Sequence, residues 1–215
     1  MNILAIESSQ RNCQVSLKIS DKVISSDSIK NQKFSSENLP IICEKLLGKL
    51  DAHFKDLDCI GVSIGPGSFT GLRVGLSYAK GLSKALKIPI IPIDTFDLML
   101  ENNSNIKKYP IHMIIHSHGK FVFYKKNNND SNEDNSTPIL ESLDVLKLKK
   151  NETYIINSKD NLELLSNFNE IKNKYFIQPS SLKIIEMIQK VDFKNFNIDS
   201  NLTPNYIASF NLESK

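Results

Sequence analysis

The stretch that decides the fold is Gly65-Pro-Gly-Ser-Phe-Thr-Gly-Leu-Arg-Val-Gly75. It follows a mostly apolar run over residues 59–64, which is typical of a buried strand in a parallel or mixed sheet. The Gly-Pro-Gly segment favours a tight turn, because glycine and proline adopt turn dihedral angles at low cost. Ser68 or Thr70 can then cap a helix by accepting a hydrogen bond from a free backbone N–H. The pattern predicts a strand, a turn and a long helix over about residues 70–86.

The predicted helix has an apolar surface that is too wide for a single neighbour. Its polar residues share one narrow stripe, formed by Arg73, Ser77, Lys80 and Lys84. Small residues and one leucine form a ridge at helical spacing, flanked by further leucines: Gly71, Gly75, Ala79 and Leu82, with Leu72 and Leu76 beside them. A surface helix has an apolar stripe of about 100°, and this stripe is roughly twice as wide. One neighbour is its own sheet, and the other is either an element of the same domain or a helix of another chain.

Arg73 is one of two arginines among 27 basic residues, and it lies in the first turn of the predicted helix. The helix dipole disfavours a cation there by a few tenths of a kcal/mol or more. Two interpretations follow from this position. Either an acid or a phosphate compensates the charge, or the side chain is simply solvated on the polar stripe.

Composition indicates a soluble globular protein, with 40% hydrophobic and 24% charged residues in a chain of 215. The net charge of +3 comes from scattered lysines, which form no dense basic stripe. The sequence therefore does not predict direct nucleic-acid binding. Cys13, Cys43 and Cys59 are too few and badly spaced for a disulfide framework or a zinc site. The apolar segment at the start of the chain lacks a basic n-region, and it is too short for a signal peptide or a membrane span. We therefore expect a cytoplasmic protein with no membrane association.

Apolar periodicity predicts a first lobe over residues 1–103. Strands are expected over residues 2–7, 13–19, 22–29, 59–64 and 88–93. A helix beginning at Ser35 or Ser36 and ending near residue 50 would place its apolar side chains on one face: Leu39, Ile42, Cys43, Leu46, Leu47 and Leu50. A short third helix, capped by Asp94 or Thr95, would extend to about residue 102.

The polar stretch 102–108 predicts a linker to a smaller α/β lobe over residues 104–215. Strands are expected over residues 111–117, 120–126, 153–157 and 174–177, with a solvated loop over 127–135 and a helix over 180–190. The tail near Pro204 is a candidate to return to the first lobe.

Several stretches resemble the TsaB family, also called YeaZ. They are Met1-Asn-Ile-Leu-Ala-Ile-Glu-Ser-Ser9, Ser36-Glu-Asn-Leu-Pro40, the run from Ile64 to Gly75, Lys80-Gly-Leu-Ser83 and Pro204-Asn-Tyr206. The resemblance covers the first hundred residues well and the second lobe by length and placement only. It implies a two-lobed α/β fold with mixed sheets, of the actin, sugar-kinase and heat-shock-chaperone type (ASKHA, ribonuclease H-like).

The resemblance also implies a function. Members of this family are non-catalytic subunits that bind and activate TsaD, together with the ATPase TsaE. The complex adds threonylcarbamoyl to the adenosine next to the anticodon, in tRNAs that read codons starting with adenine. By this resemblance the chain has no catalytic residue of its own and reaches tRNA only through the complex. From the residues themselves we expect no cofactor and no metal. When TsaD is absent, we expect a second copy of the chain to cover the apolar face of the helix, as a homodimer.

In the TsaB family the two helices of the first lobe dock on the matching helices of TsaD. Here these are the predicted helices over 36–50 and 70–86. The interface is therefore predicted at Leu46, Leu50, Gly71, Leu72, Arg73, Gly75, Leu76, Ala79 and Leu82.

The alternative function is an active small-molecule kinase or ATPase of the same fold. Glu7, at the end of the first strand, would hold magnesium in such an enzyme, or else it is a surface or capping carboxylate. An ATP site of this fold needs glycine-rich turns in both lobes, and seven of the eight glycines lie at or before Gly81. His112, His116 and His118 share strand parity and are the candidates for a metal site, unless the turn at Gly119 breaks their alignment.

Overall fold

The computed structural model describes residues 1–26, 38–101, 106, 110–128, 137–157, 166, 168–190 and 201–207. The chain divides into two compact units, of which the first comprises residues 1–102 and 179–204 and the second residues 103–178 and 205–215. Each unit has its own five-stranded mixed sheet. The predicted fold class, α/β with two mixed sheets, is confirmed.

The first unit is built on a sheet with the strand order β3-β2-β1-β4-β5. Its strands are β1 (Ile3–Glu7), β2 (Gln14–Ile19), β3 (Lys22–Ser25), β4 (Cys59–Gly65) and β5 (Ile90–Asp94). β1 pairs in parallel with β4 and antiparallel with β2, and β4 pairs in parallel with β5. Every residue of β1 is buried, as expected for a central strand covered on both faces.

Two helices cover one face of this sheet. They are α1 (Asn38–Lys49) and α2 (Phe69–Leu86), whose apolar sides join one core with β1, β2 and β4. A 3-10 turn, Phe54–Asp56, precedes β4, and α3 (Thr95–Glu101) follows β5. The predicted caps Ser35 and Ser36 of α1 lie outside the described residues, as do residues 27–29 of the predicted third strand.

The other face of the same sheet is covered by α3 and by α4 (Ser181–Gln189). Ile184 and Ile188 of α4 pack so closely on β4 that a Cβ at Gly61 would lie within 3.0 Å of both side chains. A buried hydrogen bond of 2.7 Å joins Ser16 Oγ to Ser181 Oγ. The prediction that this helix belongs to the second lobe was therefore wrong, because its apolar face completes the first unit.

The second unit has the strand order β10-β9-β6-β7-β8. Its strands are β6 (Ile111–His118), β7 (Phe121–Asn127), β8 (Ile139–Ser142), β9 (Thr153–Ile156) and β10 (Asn173–Phe176). β8 was not predicted, because it is short and half exposed and follows a polar run. The predicted linker over 102–108 and the loop over 127–135 lie mainly outside the described residues. Across the described part of the chain, no helix has the length and apolarity needed to cross a membrane.

Candidate functional site

The turn between β4 and α2 is bound to the segment that follows β1. Gly65 and Gly67 have φ angles of 113° and 156°, which side chains rarely adopt. A Cβ at Gly67 would lie within 3.0 Å of the backbone carbonyl of Ser9. The N–H of Ser68 donates to the same carbonyl over 2.7 Å. The glycines of this turn therefore serve a close approach inside the chain.

Ser68 caps α2, as one of the two predicted alternatives had it. Its Oγ accepts a hydrogen bond from the N–H of Gly71 over 3.2 Å. The helix starts at Phe69, one residue before the predicted start, and ends at Leu86 as predicted. Two of the backbone donors at this helix terminus, the N–H groups of Ser68 and Gly71, are thus used by the protein itself.

The glycine ridge of α2 faces inward. A Cβ at Gly71 would lie within 3.0 Å of the Ser8 carbonyl, and a Cβ at Gly75 within 3.0 Å of the Ser8 hydroxyl. Ala79 is fully buried. This side of the helix therefore packs on β1 of its own sheet and on the residues after it, and α1 is its second neighbour in the same core. The helical period left open whether the second neighbour belongs to the same domain or to another chain. In the structure it belongs to the same domain.

This packing corrects the predicted interface. Six of its nine residues are buried in the first unit and present no surface to a partner: Leu46, Gly71, Leu72, Gly75, Leu76 and Ala79. Leu50 and Leu82 are half-buried and pack on the same core. Arg73 is the one member of the predicted set that is exposed.

Arg73 is stabilised by an aromatic ring. Its guanidinium carbon lies 3.7 Å from the centre of the Phe69 ring, one turn earlier on the same helix. A cation over an exposed aromatic face gains about 0.5–1 kcal/mol, which offsets the unfavourable helix dipole. The Phe69 ring therefore supplies a compensating contact that the sequence argument sought in an acid or a phosphate.

The outward surface of the helix pair, called the outer face below, consists of the exposed residues of α1 and α2. On α1 these are Ile41, Glu44, Lys45, Gly48 and Lys49, and on α2 they are Phe69, Thr70, Arg73, Ser77, Gly81, Lys84 and Ala85. A Cβ added at Gly48 or Gly81 would meet no atom within 4 Å. A glycine inside a helix costs up to about 1 kcal/mol relative to alanine, and the packing of the protomer does not require these two. Sequence reasoning missed them, because Gly71 and Gly75 stood in the conspicuous motif.

Glu7 is a buried capping carboxyl. It is 1% exposed at the end of β1, and its Oε1 accepts hydrogen bonds from the Ser9 N–H (2.8 Å) and the Ser9 hydroxyl (2.5 Å). Oε2 is buried without a hydrogen-bond partner. Burial raises the pKa of Glu7 above its ordinary value, despite the opposing hydrogen bonds from Ser9. Its burial and its two hydrogen bonds from Ser9 favour the capping interpretation over a magnesium-binding acid.

The three histidines do not converge. His112 Nδ1 lies 2.6 Å from the Tyr124 hydroxyl, and His116 Nε2 lies 3.0 Å from the Gly119 carbonyl. The register of β6 and β7 shifts between His116 and His118, which breaks the parity assumed from the sequence. Within the described ranges, no group of three potential metal ligands is found.

Comparison with known proteins identifies the family. The family model of TsaD, tRNA N6-adenosine threonylcarbamoyltransferase, matches residues 23–178. The tRNA threonylcarbamoyladenosine biosynthesis protein TsaB of Buchnera aphidicola (subsp. Acyrthosiphon pisum, strain APS) is 31% identical over 217 residues, which covers 95% of this chain and 96% of that protein. The chain belongs to the TsaB family. The resemblance found in the sequence motifs is thereby confirmed.

Two further relatives show which parts are shared. TsaD of Clostridium kluyveri (strain ATCC 8527) is 34% identical over 110 residues, which is 44% of this chain and 32% of that enzyme. The crystal structure of YeaZ from Pseudomonas aeruginosa superposes with a TM-score of 0.72 and 14% identity, covering 95% of this chain and 99% of that one. The fold is thus that of a TsaB protein over nearly the whole chain, whereas the match to this TsaD covers less than half of it.

Proposed function

We propose that this chain is a non-catalytic TsaB subunit that binds and activates TsaD in the synthesis of threonylcarbamoyladenosine on tRNA. The similarity to a TsaB protein over 95% of the chain supports this role. The observation that carries the non-catalytic part is the turn after β4. Two of its backbone donors, the N–H groups of Ser68 and Gly71, bond within the chain, and the space beside Gly67, Gly71 and Gly75 is filled by Ser8, Ser9 and Ser68.

A nucleotide enzyme of this fold needs free backbone N–H groups at glycine-rich turns in both lobes, and an ionised acid for magnesium. In the first unit, a phosphate at this turn would have to displace the Ser9 carbonyl from the N–H of Ser68. Glu7 is buried and accepts hydrogen bonds from Ser9. Gly119, the one glycine beyond Gly81, lies in the β6–β7 hairpin. These features favour a scaffold over a kinase or an ATPase.

The docking surface that we propose is the outer face of α1 and α2. Gly48 and Gly81 leave open space there, so the backbone of a partner helix can approach closely. Ile41 is 47% exposed on α1, and it would supply apolar area to the contact. Arg73 stays in the interface, and Leu50 and Leu82 lie at its margin. In this proposal the outer face, and not the buried ridge of Gly71, Gly75 and Ala79, is the docking surface for TsaD.

The remaining partners follow from the same proposal. TsaE joins the complex with TsaD, and tRNA is reached through the complex. In the absence of TsaD, two copies of this chain cover the outer face as a homodimer. Small-angle scattering over a range of concentrations is expected to show a dimer, and a monomer at every concentration would contradict this part.

Reconstitution tests the proposed function directly. TsaD and TsaE from the same organism are incubated with tRNA, ATP and an activated threonylcarbamoyl donor, with or without this chain, and modified adenosine is quantified. We expect modification only when the chain is present, together with a stable complex with TsaD in size-exclusion chromatography. Full modification without the chain, or no complex with TsaD, would refute the proposal.

Calorimetry on the chain alone tests its non-catalytic character. With ATP and magnesium we expect no binding tighter than about millimolar, which corresponds to about 4 kcal/mol. Micromolar binding with hydrolysis by the isolated chain would instead support an ATPase.

A further inference from the structure

The outer face of α1 and α2 holds an excess of positive charge. Its charged side chains are those of Lys45, Lys49, Arg73 and Lys84, with Glu44 as the one acid among them. The chain has 27 basic and 24 acidic residues, so four of the former and one of the latter on the outer face leave 23 of each elsewhere. The net charge of +3 of the whole chain is therefore matched by the net charge of this one surface.

The lysines border the open glycines of the outer face. Lys45 and Lys49 lie four residues apart on one row of α1, and Gly48 lies beside them. On α2, Lys84 lies three residues after Gly81, so the two are neighbours on the helix surface. A partner helix that packs against either glycine therefore comes within reach of these ammonium groups.

These lysines have no acidic partner within the described part of the chain. Neither Lys45, Lys49 nor Lys84 forms an ion pair there, whereas five lysines outside the helix pair do: Lys120, Lys149, Lys150, Lys183 and Lys190. Like charges four residues apart on a helix, as at Lys45 and Lys49, destabilise it. The described residues of the protomer thus leave the charge of these lysines uncompensated.

The helix dipole explains only part of this arrangement. Lys49 and Lys84 lie in the last turns of their helices, where a cation is favoured. Lys45 lies further inside α1, and Arg73 lies near the N-terminal end of α2, where the dipole disfavours a cation. The positive charge of the outer face is therefore not accounted for by the stability of the two helices.

We propose that the partner surface that docks on the outer face is a helical surface with an excess of carboxylates opposite the four basic residues. This inference rests on the proposed function, in which the partner is TsaD. Complementary charge around a contact speeds association and excludes partners of the wrong sign. The outer face thus selects its partner by charge as well as by shape.

Two features of the same surface favour a protein over an RNA backbone, which also matches the charge. Ile41 is 47% exposed, four residues before Lys45 on the same row of α1. Gly48 and Gly81 leave open space for a close approach. Apolar contact and close approach serve the packing of helices, whereas phosphate contacts need neither.

The same charge opposes self-association. In a two-fold dimer each copy presents the same patch, so four basic residues and one acid face the same set on the other copy. Salt screens repulsion and attraction alike. The two assemblies therefore respond to salt in opposite directions, because salt weakens the complex with TsaD and strengthens the homodimer.

Titration calorimetry of the full chain with TsaD tests the charge complementarity. Raising NaCl shortens the Debye length from about 10 Å at 0.1 M to about 3 Å at 1 M, and we expect Kd to rise. At the lower salt, Lys45→Gln/Lys49→Gln should raise Kd by about 2- to 30-fold and reduce the salt dependence. The control Lys183→Gln/Lys190→Gln removes the same charge at α4, on the other face of the sheet, and should bind like the unmodified chain.

The outcomes separate this inference from the proposed function. A complex whose Kd does not rise with salt, or an unchanged Kd in the folded Lys45→Gln/Lys49→Gln variant, would overturn the inference and leave docking intact. No complex at either salt would refute the proposed function itself, and the inference with it. Two further results would overturn the inference: tRNA binding by the isolated chain that this variant loses, or a homodimer that weakens with salt.

Discussion

The inner and outer sides of α2 use glycine for different purposes. On the inner side, Gly71 and Gly75 receive the backbone and the hydroxyl of Ser8, so the absence of a side chain is required by the fold itself. On the outer side, Gly81 borders open space. Similar spacing along one helix therefore has two explanations, and only the environment of each glycine distinguishes packing within the chain from readiness for a partner.

The sharpest test of this difference is the same substitution on both sides. Gly71→Ala is expected to cost about 3 kcal/mol, the upper end for overpacking, because its Cβ meets a backbone carbonyl that cannot rotate away. Gly81→Ala should instead stabilise the chain by up to about 1 kcal/mol, through helix propensity alone. Urea unfolding at equilibrium measures both. The two changes in unfolding free energy need not be equal in size. An unchanged unfolding free energy in Gly71→Ala would contradict the difference between the two sides.

A second test concerns Glu7, whose carboxyl is buried at the end of β1. The raised pKa of Glu7 means that the folded chain binds its proton more tightly than the unfolded chain. Stability from this group is therefore complete below the ordinary value of 4.5 and is lost as pH rises above it, by at most about 1.4 kcal/mol per pH unit. Glu7→Gln keeps an acceptor for Ser9 and does not titrate. The unfolding free energy of Glu7→Gln, relative to that of the unmodified chain, should thus rise from pH 4.5 to pH 8. A difference that stays constant with pH would contradict this account.

A third test concerns the start of the helix. Ser68→Ala removes the acceptor for the Gly71 N–H and should cost about 1 kcal/mol in urea unfolding. Ser77→Ala, on the outer face, is the matched control and should change stability by less than about 0.5 kcal/mol. A Ser68→Ala variant as stable as Ser77→Ala would show that the cap contributes little.

Local elements could be predicted because their signals are local. The Gly-Pro-Gly turn and its apolar flanks located β4 and α2 to within one residue, and Ser68 was among the two predicted caps. What could not be predicted depends on distant contacts. The placement of α4 on the first sheet depends on Ile184 and Ile188 meeting Gly61, which are far apart in sequence.

The interface residues illustrate the same limit. Helical periodicity shows that α2 has two apolar sides, but it cannot show that Ser8 fills the notches of Gly71 and Gly75. Gly81 was visible in the sequence, yet its significance depends on the empty space around it. The contact of His112 with Tyr154 was equally hidden, because Tyr154 lies beside His112 only through the parallel pairing of β9 with β6.

The affinity of TsaD for variants of the outer face tests the central claim most directly. Gly81→Leu places a large side chain where the partner backbone should approach, and overpacking of about 1–3 kcal/mol predicts a Kd raised by about 5- to 150-fold in titration calorimetry. Gln189→Leu, exposed on α4, is the control and should bind TsaD like the unmodified chain. Unchanged affinity in a folded Gly81→Leu variant would contradict docking through the outer face.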